Sequence, residues 1–276
     1  MKPIKEIKKK GGRSLFIFDH GLGDFINFMP VWFEFIRQTG VKPTLGSNFK
    51  RQFNLIDDVI SINSLFDKRK YDYIYKILYP DPKNSSIPID ISDEPAKPYI
   101  CAYHELGMEE FTWKPYKIFN KYFNKNSKRI GVHLFGHTGM DKKFCPVNVA
   151  EEIWNEIIEA GYEPYECHMK PDFADEYPDY IEADSMECLT PDCSLRYEKA
   201  DLGKMIEEIG KCKFFIGVDS GPIYLASALL GTDYIIGLEN KKKHNNFLPK
   251  HIVTVPVLNY KSGTIYKQLN SMEVWL

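Results

Sequence analysis

Asp219, Ser220 and Gly221 stand in a row between an apolar run, Phe214–Val218, and a second apolar segment that runs from Pro222 through Leu229. A helix that begins at such a turn presents unpaired N–H groups and the positive end of its dipole, and a glycine lets backbone come close to a ligand, so the group suits a phosphate. Asp219 and Ser220 are also common helix caps, and Pro222 suits a first turn, where its missing N–H costs nothing. An ordinary capped strand-to-helix junction therefore fits the same residues. Two more glycine-bearing turns carry chemical groups: Gly21, Gly23 and Asp24 in HGLGD, and Gly136, His137, Thr138 and Lys143 in GHTGMDKK. Asp24 offers a carboxylate for general-base work or a cap. Lys143 offers a cation for phosphate or a solvated loop charge. Tyr224 offers a phenol donor or an aromatic packed on a sheet.

The elements that must position these groups read as alternating strands and helices. Ser14–Asp19 is a first strand, and the HGLGD turn opens a helix that stops near Gly40. Strand-like stretches follow at Val41–Leu45, Val59–Ile62 and Tyr71–Leu78, with a short helix at Phe49–Ile56. Pro80, Pro82, Pro88, Pro95 and Pro98 then mark a surface loop, and Tyr99–Met108 recovers a helical pattern. After the polar stretch Asn120–Lys128, a second series begins with strand RIGVHLFG and an amphipathic helix Asn148–Ala160. It continues with a strand Tyr162–Met169, a helix Asp201–Gly210, the Phe214–Leu229 unit, and strands Tyr234–Leu238 and Ile252–Leu258. The expected fold is α/β, with two Rossmann-like domains facing a cleft: residues 1–125 and residues 126–276. No internal repeat is visible.

Composition excludes several classes. The formal net charge of −2 argues against a general nucleic-acid binder, since phosphate backbones select basic faces. Lys2, Lys5, Lys8, Lys9, Lys10 and Arg13 form a local exception, read as a solvated tail that could make weak contact with an anionic membrane surface. The first residues lack the apolar core of a secretion signal, and no run of about 18 apolar residues could span a bilayer, so a cytoplasmic location is expected. Cys101, Cys145, Cys167, Cys188, Cys193 and Cys212 form no CxxC pair and no zinc-like spacing, so they read as reduced thiols, with Cys212 in the core. His133 and His137 follow a strand-like run and would not share a helix face, so no metal site is expected. A dinucleotide fingerprint would need a third glycine where Ile26 stands, and no acidic residue ends the next strand, so a nicotinamide cofactor is disfavoured.

Four stretches taken together resemble the bacterial heptosyltransferases of glycosyltransferase family nine: GLGDFINFMP, PYICAYHELGM, FGHTGMDKKFCP and VDSGPIYLASAL. They cover both halves of the chain in the family's order. Gly23, Asp24 and Pro30 match the first family pattern, Lys143 and Pro146 the third, and Asp219, Ser220 and Gly221 the fourth. Tyr224 replaces the family's histidine, and Cys145 its tryptophan.

The resemblance implies a GT-B fold and transfer of a sugar from a nucleotide-diphosphate donor to a hydroxyl on a glycan or lipid-linked acceptor, with inversion and without a metal or other cofactor. The chain has no DxD triplet, the usual metal ligand of the other large glycosyltransferase fold. On this reading Gly136, His137, Thr138, Lys143, Asp219, Ser220, Gly221 and Tyr224 bind the donor. Asp24 is the catalytic base, with Gly21 and Gly23 on the acceptor side. A protein of the same fold that binds sugar nucleotides without turnover is the alternative.

Overall fold

The computed structural model describes residues 3–18, 21–47, 59–61, 67–77, 106–108, 124, 126–134, 145–167, 202–239 and 252–275. The chain divides into two compact units, Met1–Tyr116 and Lys117–Leu276.

The first unit contains α1 (Pro3–Lys10), β1 (Ser14–Phe18), α2 (Leu22–Thr39), β2 (Thr44–Ser47), β3 (Val59–Ser61), a single 3-10 turn at Lys68–Lys70, and β4 (Tyr73–Ile77). The four strands form a parallel sheet in the order β3-β2-β1-β4. β1 is central because four of its five residues are fully covered, as a parallel strand flanked by helices requires. Phe16 meets the α2 rings of Trp32 edge-on at 5.6 Å and Phe35 at 4.8 Å, and Phe18 stacks on Phe28 at 5.1 Å. Each such ring contributes about 1.5–3 kcal/mol when fully buried, so this aromatic cluster sets where α2 lies on the sheet. Gly40, at φ 72°, ends α2 in the left-handed conformation and donates its N–H to the Ile36 carbonyl.

The second unit contains β5 (Arg129–His133), α3 (Val147–Glu159), β6 (Glu163–Glu166), α4 (Leu202–Gly210), β7 (Phe214–Val218), α5 (Gly221–Leu230), β8 (Ile235–Glu239), β9 (Val253–Pro256) and α6 (Thr264–Trp275). Its five parallel strands run in the order β6-β5-β7-β8-β9. All five residues of β7 are buried. A Cβ on Gly131 would lie 2.6 Å from the Phe215 ring, so only glycine lets that ring lie across the β5–β7 pair. Arg129 bridges β5 to α4 through Glu208 at 2.8 Å and stacks 4.1 Å over the Tyr165 ring.

The expected α/β class with parallel sheets is the observed one. Several local readings change. The N-terminal residues form helix α1, because Ile4 and Ile7, three apart, bury at 3% and 1% exposure and pack the helix on α2. Helix α6 lies beyond the last expected strand. Its Ile265, Leu269 and Met272 are buried, and the Glu156 carboxylate of α3 accepts from the backbone N–H groups of Gly263 at 2.7 Å and Tyr266 at 3.0 Å. That carboxylate satisfies donors that every helix start leaves open. The expected strand at Val41–Leu45 shifts to Thr44–Ser47, and a 3-10 turn takes Thr232–Tyr234 ahead of β8. The helix at Phe49–Ile56 and the loop of prolines lie outside the described residues. So does nearly all of the Tyr99–Met108 helix.

Candidate functional site

Strand order decides where a ligand can sit. In an open parallel sheet the crevice lies at the carboxyl ends of two neighbouring strands whose following connections run in opposite directions. In the second unit the chain steps outward from β5 to β6 and returns to the other side of β5 at β7, so that point falls between β5 and β7. In the first unit it falls between β1 and β4. The two switch points adjoin the segments singled out by their residue types.

At the end of β7 the chain turns through Asp219 and Ser220 into α5. Tyr224 is 6% exposed, and its hydroxyl donates to Asp219 Oδ1 at 2.8 Å, which ties the turn to the first turns of the helix. Ser220 occupies the cap position in extended backbone, yet its hydroxyl makes no cap bond. It donates instead to the Val218 carbonyl at 3.2 Å. The sequence expectation of a side-chain cap at Ser220 is corrected on this point, because the hydroxyl is turned back toward the strand. The start of α5 is held by Ile223 N–H donating to Ser220 O at 3.2 Å and by Pro222 in the first turn. Residues 222–230 of α5 are all buried, so the helix is fixed on every side with its positive end at the carboxyl edge of the sheet.

Next to it, β5 ends at His133, which pairs in register with Gly217 of β7. His133 is 5% exposed, and its Nδ1 lies 2.7 Å from the Cys167 carbonyl; a bond there requires that nitrogen to donate. The ring thus joins the carboxyl ends of β5 and β6. By sequence alone His133 is only a metal-ligand candidate, and a poor one; a polar residue ending an apolar strand is the available signal for its part in this edge. A Cβ on Gly217 would meet the His133 carbonyl at 3.1 Å, so glycine keeps the two strand ends close. Leu134 and Cys145, which flank the stretch carrying Gly136, His137, Thr138 and Lys143, are joined by a 3.0 Å bond from Cys145 N to Leu134 O. Those four residues themselves lie outside the described residues. Cys145 is fully buried and its thiol is pushed up to about 12 by burial, which makes it a packing group rather than a nucleophile.

In the first unit, Gly21 is the residue before α2, and Gly23 and Asp24 lie in its first turn. Among the described residues nothing lies within 4 Å of a Cβ placed on Gly21, so the backbone there is open to approach. Asp24 is half-buried at the helix's positive end, where a carboxylate is favoured. Pro30 lies inside α2 and is buried; it leaves the Ile26 carbonyl without its usual helical donor. Structure thus brings Asp219, Ser220, Gly221 and Tyr224 into one turn of the second unit, and Gly21, Gly23 and Asp24 into one turn of the first. Among the described residues no group of three or more His, Cys, Asp or Glu could hold a metal ion, and no helix is long and apolar enough to cross a membrane.

No protein-family model and no curated protein sequence matches the chain. Solved structures do. A glycosyl transferase family 9 protein from Veillonella parvula is 13% identical, with 96% of this chain and 98% of that one covered at a TM-score of 0.61. The E. coli heptosyltransferase WaaC, solved with ADP, is 14% identical, covering 95% and 98% at 0.65. The E. coli ADP-heptose LPS heptosyltransferase II is 15% identical, covering 95% and 99%, also at 0.65. At these identities the likeness is one of fold. The chain shares nearly its whole length of fold with family 9 heptosyltransferases, as the four sequence stretches implied, and a GT-B type is consistent with these neighbours.

Proposed function

We propose that this chain is a glycosyltransferase that moves a sugar from a nucleotide-diphosphate donor to a hydroxyl of a glycan or lipid-linked acceptor, inverting the anomeric carbon and using no metal. The observation that carries the reading is the fixed turn Asp219–Ser220–Gly221 with Tyr224, set at the β5–β7 switch point of a fold shared with solved glycosyltransferases. We assign the donor diphosphate to the start of α5, with Gly136, His137, Thr138 and Lys143 as its other ligands. The structure of WaaC with ADP makes adenosine diphosphate the first nucleotide to try.

In the reaction proposed, Asp24 takes the proton of the acceptor hydroxyl while that oxygen bonds to the anomeric carbon. The bond from this carbon to the diphosphate oxygen breaks on the opposite face. The electron pair leaves with the diphosphate, whose charge is met by helix N–H groups and the Lys143 ammonium. Gly21 and Gly23 keep the acceptor side open. Metal independence is tested by turnover in EDTA; loss restored by a divalent ion would contradict it.

A second reading is a sugar-nucleotide-binding protein without turnover. Its support is the Tyr224 phenol, which engages the Asp219 carboxylate where the family carries a histidine. Calorimetry with ADP, GDP and UDP, and assay of diphosphate release from the matching nucleotide sugars, separate the two. Lys143→Ala should weaken diphosphate binding by about 1.5–3 kcal/mol if it is a charged hydrogen-bond partner. Binding with no release, from any nucleotide sugar that binds, favours the second reading.

A further inference from the structure

The basic N-terminal residues are built into the first unit. Arg13 N–H donates to Asp72 Oδ2 at 2.8 Å, and the Arg13 carbonyl accepts from the N–H groups of Asp72 at 2.9 Å and Tyr73 at 3.2 Å. Gly12, at φ 121°, fits only as glycine, since a Cβ there would lie 2.9 Å from the Tyr73 ring. These contacts fix the end of α1 beside the segment that leads into β4. That segment is itself basic: Lys68, Arg69 and Lys70 form one exposed turn. Two clusters far apart in sequence, Lys8–Lys10 with Arg13 and Lys68–Lys70, thus lead into the amino ends of the neighbouring strands β1 and β4, which the Arg13–Asp72 bonds tie together. All seven side chains are exposed. The described carboxylates among them are Glu6, Asp67 and Asp72; Asp67 pairs with Arg69 at 3.0 Å, and Asp72 accepts from the Arg13 backbone.

We infer that this face docks the protein on an anionic lipid surface through headgroup contact alone. Helix α1 has no apolar side left to insert, because its Ile4 and Ile7 are already buried in the first unit. The cations are mostly lysines, compact charges on flexible stems that suit a diffuse anionic layer better than a fixed bidentate phosphate. The formal net charge of −2 makes the rest of the chain acidic by comparison, which disfavours a polyanion that wraps the protein and favours one flat surface met by one face. Docked this way, the first unit turns its amino edge to the lipid and keeps the turn at Gly21–Asp24 at the opposite edge of the sheet, about 16 Å away for strands of five residues.

The inference does not depend on glycosyl transfer, so its test needs no activity. The full chain is sedimented with phosphatidylcholine vesicles with and without phosphatidylglycerol, over a series of salt concentrations. Binding should require phosphatidylglycerol and fall with salt. Lysines near an anionic surface each favour the bound state roughly fivefold, so Lys8→Glu with Lys9→Glu, and separately Lys68→Glu with Lys70→Glu, should each lower partitioning at least about 25-fold while circular dichroism stays unchanged. The second pair is decisive, because a free basic tail would bind without it. Wild-type partitioning in the Lys68→Glu, Lys70→Glu variant would overturn the inference. So would equal binding to vesicles lacking phosphatidylglycerol, or tighter salt-sensitive binding to a single-stranded oligonucleotide through the same lysines.

Discussion

The Tyr224 hydroxyl donates to Asp219 Oδ1 at 2.8 Å, which joins the carboxylate that ends β7 to the second turn of the helix that follows. A phenol donor at this spacing holds the orientation of the carboxylate. Tyr224→Phe keeps the ring and removes the donor. The expected result is about 1 kcal/mol of lost stability and a roughly tenfold weaker Kd for the nucleoside diphosphate, read by calorimetry. An unchanged Kd would mean that the carboxylate does not need the phenol to serve the ligand.

Gly131 and Phe215 make a second, purely steric prediction. Because a Cβ on Gly131 would sit 2.6 Å from the Phe215 ring, Gly131→Ala must push the ring or the strand aside. Overpacking of this kind costs about 1–3 kcal/mol. Urea denaturation should show that loss, and Gly131→Ala combined with Phe215→Leu should recover part of it. A variant as stable as the parent would show that the strand pair has slack.

Acid should destabilise the protein through carboxylates held low by ion pairs. Arg37, which donates to Glu34, lowers its pKa against the opposing effect of burial, with Gln38 adding a further bond. Burial pushes Glu208 up, but Lys211 and Arg129 together hold it below the ordinary value of 4.5. A carboxylate with a depressed folded pKa contributes stability that is present above its unfolded pKa and is lost as pH falls through the folded one. The melting temperature should therefore fall as pH is lowered below about 4.5, and Glu208→Gln should start lower at neutral pH and show a shallower fall. Parallel curves for variant and parent would remove Glu208 from this account.

Much of this architecture was legible because strand-to-helix junctions carry strong local punctuation. Gly40 after α2, in the left-handed conformation, and Pro222 in the first turn of α5 mark element ends by backbone requirements that do not depend on distant residues. The strand order was not legible, since β5 pairs with β6 and β7 through contacts that no local pattern encodes. The switch points, and with them the reason these turns can be sites, came only from the sheet. Helix α1 was hidden by its lysines, which dominate a segment where two isoleucines suffice to anchor it. Helix α6 had a readable signal in Ile265, Leu269 and Met272, at helical spacing. Ser220 shows the limit of residue types: a hydroxyl in the cap position turned to the preceding carbonyl instead.

Asp24 carries the central claim, that a base on the first unit deprotonates an acceptor during sugar transfer. A positioned base contributes about 10²–10⁴-fold in rate, whereas asparagine caps a helix nearly as well as aspartate. The direct measurement is therefore nucleoside-diphosphate release from a bound nucleotide sugar by parent and Asp24→Asn, with donor Kd and melting temperature recorded for both. The account predicts release by the parent and a fall of about 10²–10⁴-fold in the variant, at unchanged Kd and melting temperature. Release at the parental rate by Asp24→Asn would contradict it and leave Asp24 as a residue of the α2 first turn alone.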